Sequence, residues 1–152
     1  MGIRSNRRLR KFYQSQVERI LGLIKEQFKP GQISLDAYLD MCEQLGEEPD
    51  PEKMPLTVQD YPEEVQMAFF IHHLLPDRWE GMSGSYMGKD MSSLGTLLDI
   101  WEVDDKKSVV YFLKHIEAEH AKQVNEKQEQ KRKAEQNKAK AKGGINSANI
   151  KR

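Results

Sequence analysis

Apolar positions fall into helical stripes that proline and glycine interrupt. Leu9, Phe12, Tyr13, Val17, Ile20, Leu23, Ile24 and Phe28 recur at steps of three and four and predict a helix over residues 5–28. Lys29-Pro30-Gly31 ends it. Ser34 is placed as the N-cap of a second helix, with Ile33 and Tyr38 at the spacing of a hydrophobic staple. Leu35, Tyr38, Leu39, Cys42 and Leu45 form its stripe, and Gly46 stands where a left-handed C-terminal cap is expected. Residues 47–61 hold Pro49, Pro51 and Pro55 among acidic side chains and read as a connector. Pro62 opens a third helix, with Glu63 and Glu64 near its positive end. Residues 62–75 are apolar almost all round, so this helix is predicted to be central, with Phe69, Phe70 and Leu74 in the core.

The segment 77–90 carries Gly81, Gly84 and Gly88 and reads as an ordered loop, with Trp79, Met82, Tyr86 and Met87 packing back on the helices. Asp90 or Ser92 is expected to cap a short fourth helix with Met91, Leu94, Leu97, Leu98 and Trp101 inward. Asp104 or Asp105 caps a fifth, buried through Val109, Phe112, Leu113, Ile116 and Val124. From Asn125 the apolar stripe stops while strong helix formers continue to Gly143-Gly144, which are expected to terminate them. Residues 125–142 would project about 27 Å if helical. No stretch alternates as a strand, so the predicted fold class is all-α. It is a compact bundle of four to five helices in a domain 1–124, followed by a charged helical or disordered tail 125–152.

Charge changes this picture more than composition does. Of 152 residues, 38% are hydrophobic and 32% charged, with 24 basic and 24 acidic side chains that cancel. The distribution is uneven. The arm 1–11 carries Arg4, Arg7, Arg8, Arg10 and Lys11 with no acid, residues 122–152 hold ten basic against three acidic residues, and the intervening body is strongly acidic. Basic ends on an acidic body suit a polyanion or an acidic protein surface. No run approaches the ~20 apolar residues of a membrane span. The basic N-terminus has no apolar segment behind it, so a cytoplasmic location is expected.

Chemical motifs are sparse. Gly84-Ser85-Tyr86-Met87-Gly88-Lys89-Asp90 is one residue short of a phosphate-binding loop, puts Asp90 where a magnesium-binding hydroxyl belongs, and follows a helix where that motif needs a strand. His115, Glu119 and His120 approach the helix of a zinc peptidase without matching its spacing, and His72 and His73 diverge by about 100° on a helix. His72 is read as a packed or capping side chain and His120 as surface. A lone Cys42 on an apolar stripe reads as a small hydrophobe. No enzyme, cofactor or metal is expected. The tail lacks an aromatic after Phe112, so any nucleic-acid binding there would be phosphate-driven and salt-sensitive.

Residues 62–90, with Leu75-Pro76-Asp77-Arg78-Trp79 and the glycine loop, together with residues 99–117 around Phe112-Leu113-Lys114, resemble small proteins of tailed bacteriophages. The similarity is to tail and baseplate assembly proteins, of the tail assembly chaperone or baseplate hub accessory type, and covers about half the chain. It implies a non-enzymatic helical protein that handles other tail components in the host cytoplasm or the virion. The expected function is therefore protein interaction in tail or baseplate morphogenesis, with a nucleic-acid-binding accessory protein as the alternative. Arg78, Trp79, Tyr86 and Lys89 on the loop, and Lys131, Arg132 and Lys133 on the tail, are the candidate partner-binding residues, because Trp, Tyr and Arg most often carry interface energy.

Overall fold

The computed structural model describes residues 12–148, with side chains to Lys142. The basic arm 1–11, including Leu9, and residues 149–152 lie outside the described residues. The chain runs α1 (Gln14–Gln27), α2 (Leu35–Leu45), a 3-10 turn (Val58–Asp60), α3 (Glu63–Leu74), β1 (Asp77–Trp79), β2 (Tyr86–Lys89), α4 (Leu94–Ile100) and α5 (Lys106–Ala148). The fold is mostly helical, and the strand pair corrects the all-α expectation.

One core gathers the helices. Val17, Ile20 and Ile24 from α1, Val65, Ala68 and Ile71 from α3, Leu98 from α4, and Val109, Phe112, Leu113 and Ile116 from α5 are buried together with Tyr61 and Leu75. The α5 set follows i, i+3, i+4, i+7, so one stripe of that helix lies against α3 and α1. Phe12 closes the end of the core edge-on to Phe112, with ring centroids 5.5 Å apart. Among the described residues, Tyr38 and Cys42 of α2 are buried outside this core. The Tyr38 hydroxyl instead accepts the Asp50 N–H at 3.1 Å, which fastens α2 to the connector.

The local signals act where the sequence places them. Ser34 Oγ accepts the Ala37 N–H at 3.1 Å, and Gly46 closes α2 at φ 68°. Lys29-Pro30-Gly31 follows the end of α1, and Asp105 caps α5 by accepting the Ser108 N–H at 3.2 Å and its hydroxyl at 2.6 Å. Several expectations are corrected. The first helix starts at Gln14, and Tyr13 precedes it as an exposed N-cap because its N–H is taken by Gln16 Oε1 at 3.0 Å. Ile33 is exposed, as are Leu39 and Leu45 on α2. The α4 N-cap is Ser93, with no side-chain hydrogen bond, since Asp90 spends its carboxylate on the Ser92 N–H at 2.9 Å. Phe70, Leu74 and Trp101 are exposed and Phe69 is half-buried, because α5 and α1 cover α3 on one side only. Gly143-Gly144 do not stop α5, which runs 43 residues, about 65 Å at the helical rise.

Pro76 ends α3 by excluding the helical conformation at Leu75, which takes φ −71°, ψ 135°. The chain then turns back as an antiparallel hairpin pairing Asp77 with Lys89 and Trp79 with Tyr86, with an irregularity between. This replaces the predicted loop. Glu80 N–H to Ser85 O (2.9 Å) and Asp90 N–H to Pro76 O (2.8 Å) close its two ends. Trp79, Met82 and Met87 are exposed, contrary to their expected packing on the helices, although one edge of Trp79 meets Tyr86 at a centroid distance of 4.9 Å. What holds the hairpin to the body is polar.

Candidate functional site: a polar cluster beneath the hairpin

The hairpin lies on α5, and the side chains between them are largely ionisable. Glu117 and His120 stand three residues apart on α5 and therefore share a face. His72 reaches the same place from α3. Its ring nitrogen Nε2 lies 2.6 Å from Glu117 Oε2, and a carboxylate can only accept, so His72 Nε2 carries the proton. The other oxygen, Oε1, accepts the Lys89 N–H of β2 at 2.7 Å. One carboxylate thus binds α3 and β2 to α5.

The second half of the cluster fixes His120. The Tyr86 hydroxyl donates to Asp77 Oδ1 at 2.9 Å. Its oxygen is then free to accept, and His120 Nδ1 lies 3.2 Å away, so the Nδ1–H tautomer donates to it. Nε2 of His120 is left with its lone pair. The two imidazoles meet edge to face with centroids 5.0 Å apart, and Tyr86 crosses His120 at 5.5 Å. Lys89 Nζ sits 3.1 Å from Asp77 Oδ1.

Burial sets the charges. It is the largest influence on both histidines and outweighs the upward pull of Glu117, so His72 and His120 titrate below the usual histidine value and are neutral at pH 7. Burial also raises the Tyr86 phenol, aided by its bond to Asp77. Burial acts against the Asp77 carboxylate, but hydrogen bonds from Lys89 and Tyr86 outweigh it and hold Asp77 below its usual value.

Gly88 permits this approach. It is buried at φ 86°, in the left-handed region, and a Cβ there would strike Glu117 Oε1.

The structure divides the candidate partner residues. Arg78 is exposed on the hairpin, and Trp79, half-exposed, lies edge-on to its strand partner Tyr86 with ring centroids 4.9 Å apart. Tyr86 is buried and the Lys89 side chain is nearly so, both engaged in the cluster, so neither is presented to a partner. Lys131, Arg132 and Lys133 are exposed on α5, where Arg132 and Lys133 share Glu129 at 3.9 and 3.5 Å. His120, expected on the surface, is half-buried against Tyr86 and Phe28. The Glu117-x-x-His120 spacing was available in the sequence, and its meaning depended on His72, 45 residues away.

Two further surfaces stand out. A cleft of about 900 Å³ opens between the turn after α1 and the connector, lined by Ile33, Leu35, Met54 and Leu56 with Glu26 and Lys53. Beyond Gln128, whose amide reaches Gly84 O at 3.4 Å, α5 carries exposed side chains on every face to Lys142. No helix among the described residues is long and apolar enough to cross a membrane. Compared with protein-family models, curated proteins and solved structures, the chain matches none.

Proposed function

We propose that this chain is a non-enzymatic protein-interaction factor acting in assembly, of the phage tail or baseplate type that its sequence resembles. The observation that carries this reading is the open apolar face where α3 meets α4. Phe70 is 38% exposed, Leu74 40% and Trp101 48%, and Phe70 and Trp101 stack edge to face with centroids 4.7 Å apart. Phe70 and Leu74 are one helical turn apart, so the three form one patch on the outside of a helix whose inner side is already buried. Apolar side chains grouped on a surface mark protein contacts. A phosphate backbone has no use for them.

The projecting part of α5 supplies a second, electrostatic contact. Lys131, Lys138 and Lys142 are seven and four residues apart and line one side of the helix, with no ion pair among the described residues. These cations also favour the alternative, binding to a nucleic acid through its phosphates.

The test is co-expression of the full chain with the tail tube, tape-measure and baseplate proteins of a tailed phage. The expected result is a complex that Leu74→Glu with Trp101→Ser abolishes while the thermal melt stays cooperative. Truncation after Gln130 should weaken the same complex in a salt-dependent way without lowering the melting temperature. Complexes that survive Leu74→Glu with Trp101→Ser would refute the apolar-face reading. If the full chain binds none of these proteins but shifts random duplex DNA at low salt, and the truncated chain does not, the nucleic-acid reading replaces it.

A further inference from the structure

We infer that His72, Glu117 and His120 form a binding site for a divalent transition ion of the zinc type. One ligand atom from each residue lies within 4.8 Å of the other two. Two imidazoles and one carboxylate are a set that zinc accepts, with three protein ligands leaving a fourth position for water. Hard ions such as magnesium prefer all-oxygen sites and are disfavoured here.

The surroundings argue for the ion more strongly than the distances alone. A ligating histidine commonly donates its second N–H to a neighbour that fixes ring and tautomer. His120 does so already. Its Nδ1–H is held by Tyr86, whose own proton is committed to Asp77, so the chain Asp77–Tyr86–His120 leaves the Nε2 lone pair unprotonated. Glu117 is anchored in the same way, with Oε1 held by the Lys89 N–H, while Oε2 accepts from His72 Nε2. The change falls between His72 and Glu117, whose ligand atoms stand 2.6 Å apart and must open to about 3.3 Å, the separation of two ligands on a tetrahedral zinc. The His72 Nε2 proton, now on the hydrogen bond to Glu117, leaves as the ion enters between the two atoms, and binding releases one proton. Lys89 and Lys127 are the nearby cations, and the charge of Lys89 is met by Asp77 at 3.1 Å. The bound metal ion would join α3 to α5 under the hairpin, at the point where the carboxylate alone now makes the connection.

The test uses the full chain, freed of metal with a chelator and titrated calorimetrically with zinc chloride, and with cobalt chloride followed by visible absorption. The expected result is one equivalent of zinc bound with proton release, and cobalt bands of tetrahedral intensity. His120→Gln should abolish both signals. Tyr86→Phe, which keeps all three ligands and removes only the acceptor of the Nδ1–H, should weaken zinc by about 10- to 100-fold. His115→Gln should bind as the parent does, and magnesium should give no heat. Absence of zinc uptake by the folded parent would overturn the inference. So would uptake unchanged in His120→Gln, or lost in His115→Gln. Should His120→Gln fail to fold, Tyr86→Phe decides: parental affinity in that variant overturns the inference, and the stated weakening supports it.

Discussion

Replacing Gly88 with alanine tests the seat of the hairpin more directly than any change to a charged residue. Gly88 has φ 86°, and holding alanine in the left-handed region costs about 1–2 kcal/mol. The new methyl group would also fall on Glu117 Oε1. The carboxylate must then move, and the Lys89 N–H that it accepts at 2.7 Å loses its partner. An unsatisfied, largely buried donor costs about 1–3 kcal/mol, so the expected loss is about 3 kcal/mol in all. For a chain of this size that corresponds to a fall in melting temperature of about 6–12 °C. Gly84→Ala is the internal control. Gly84 has φ 64°, but its Cβ would meet nothing within 4 Å, so it carries only the backbone cost of about 1–2 kcal/mol. Urea unfolding followed by far-UV circular dichroism measures both. In a Glu117→Ala background the excess cost of Gly88→Ala over Gly84→Ala should vanish, since no carboxylate remains to be displaced. Equal losses for the two glycine variants in the parent chain would refute the reasoning.

Phe112, fully buried among α1, α3 and α5, should lose about 3–5 kcal/mol on change to alanine, whereas Phe70→Ala on the open face should lose about 1 kcal/mol; urea midpoints that rank the two the other way would reverse the assignment of α3's inner and outer sides. Burial, with Asp60 adding to it, raises the Tyr61 phenol from 10.0 to about 12, and its hydroxyl donates to Gln27 Oε1 at 2.8 Å. The folded value exceeds the unfolded one, so this contribution to stability is complete below pH 10.0 and is lost as pH rises toward about 12; Tyr61→Phe should flatten that part of the alkaline decline, and an unchanged slope would count against it.

Much of the helical frame was legible because its signals are local. Ser34 and Gly46 mark their caps by residue type alone, and the spacing of Val109, Phe112, Leu113 and Ile116 gives the buried side of α5 without knowledge of its neighbours. The hairpin was not legible. Its strands are three and four residues long, too short to show alternation, and they are set by contact with α5 rather than by their own propensity. The same contact turns Tyr86 and Lys89 inward, which no property of a glycine-rich segment announces. The apolar richness of α3 predicts burial on all sides. The sequence cannot distinguish a helix surrounded by its own chain from one that keeps a face open, and Phe70 and Leu74 fall on that open face. The His72–Glu117–His120 grouping needs α3 and α5 to be packed before it exists.

Why the hairpin is fastened by polar groups follows from what polar groups do that apolar ones do not. Removing charges from water is costly, and buried ion pairs are often replaced by well-packed apolar residues with no loss of stability. An apolar underside would therefore hold the hairpin at least as firmly. It would resist a one-residue slip, which turns every strand side chain to the opposite face, but would leave a two-residue slip open. Glu117 does not tolerate it. Its Oε1 needs the Lys89 N–H, its Oε2 needs His72, and its approach needs a residue without Cβ, which β2 offers at Gly88. A shift of β2 by one residue would put Met87 or Lys89 over the carboxylate and break together the two conditions that β2 supplies. The same register sends Tyr86 down to His120 while leaving Arg78 and Met87 outward and Trp79 half-exposed beside Tyr86. The cluster under the hairpin thereby determines which side chains the hairpin offers to a partner.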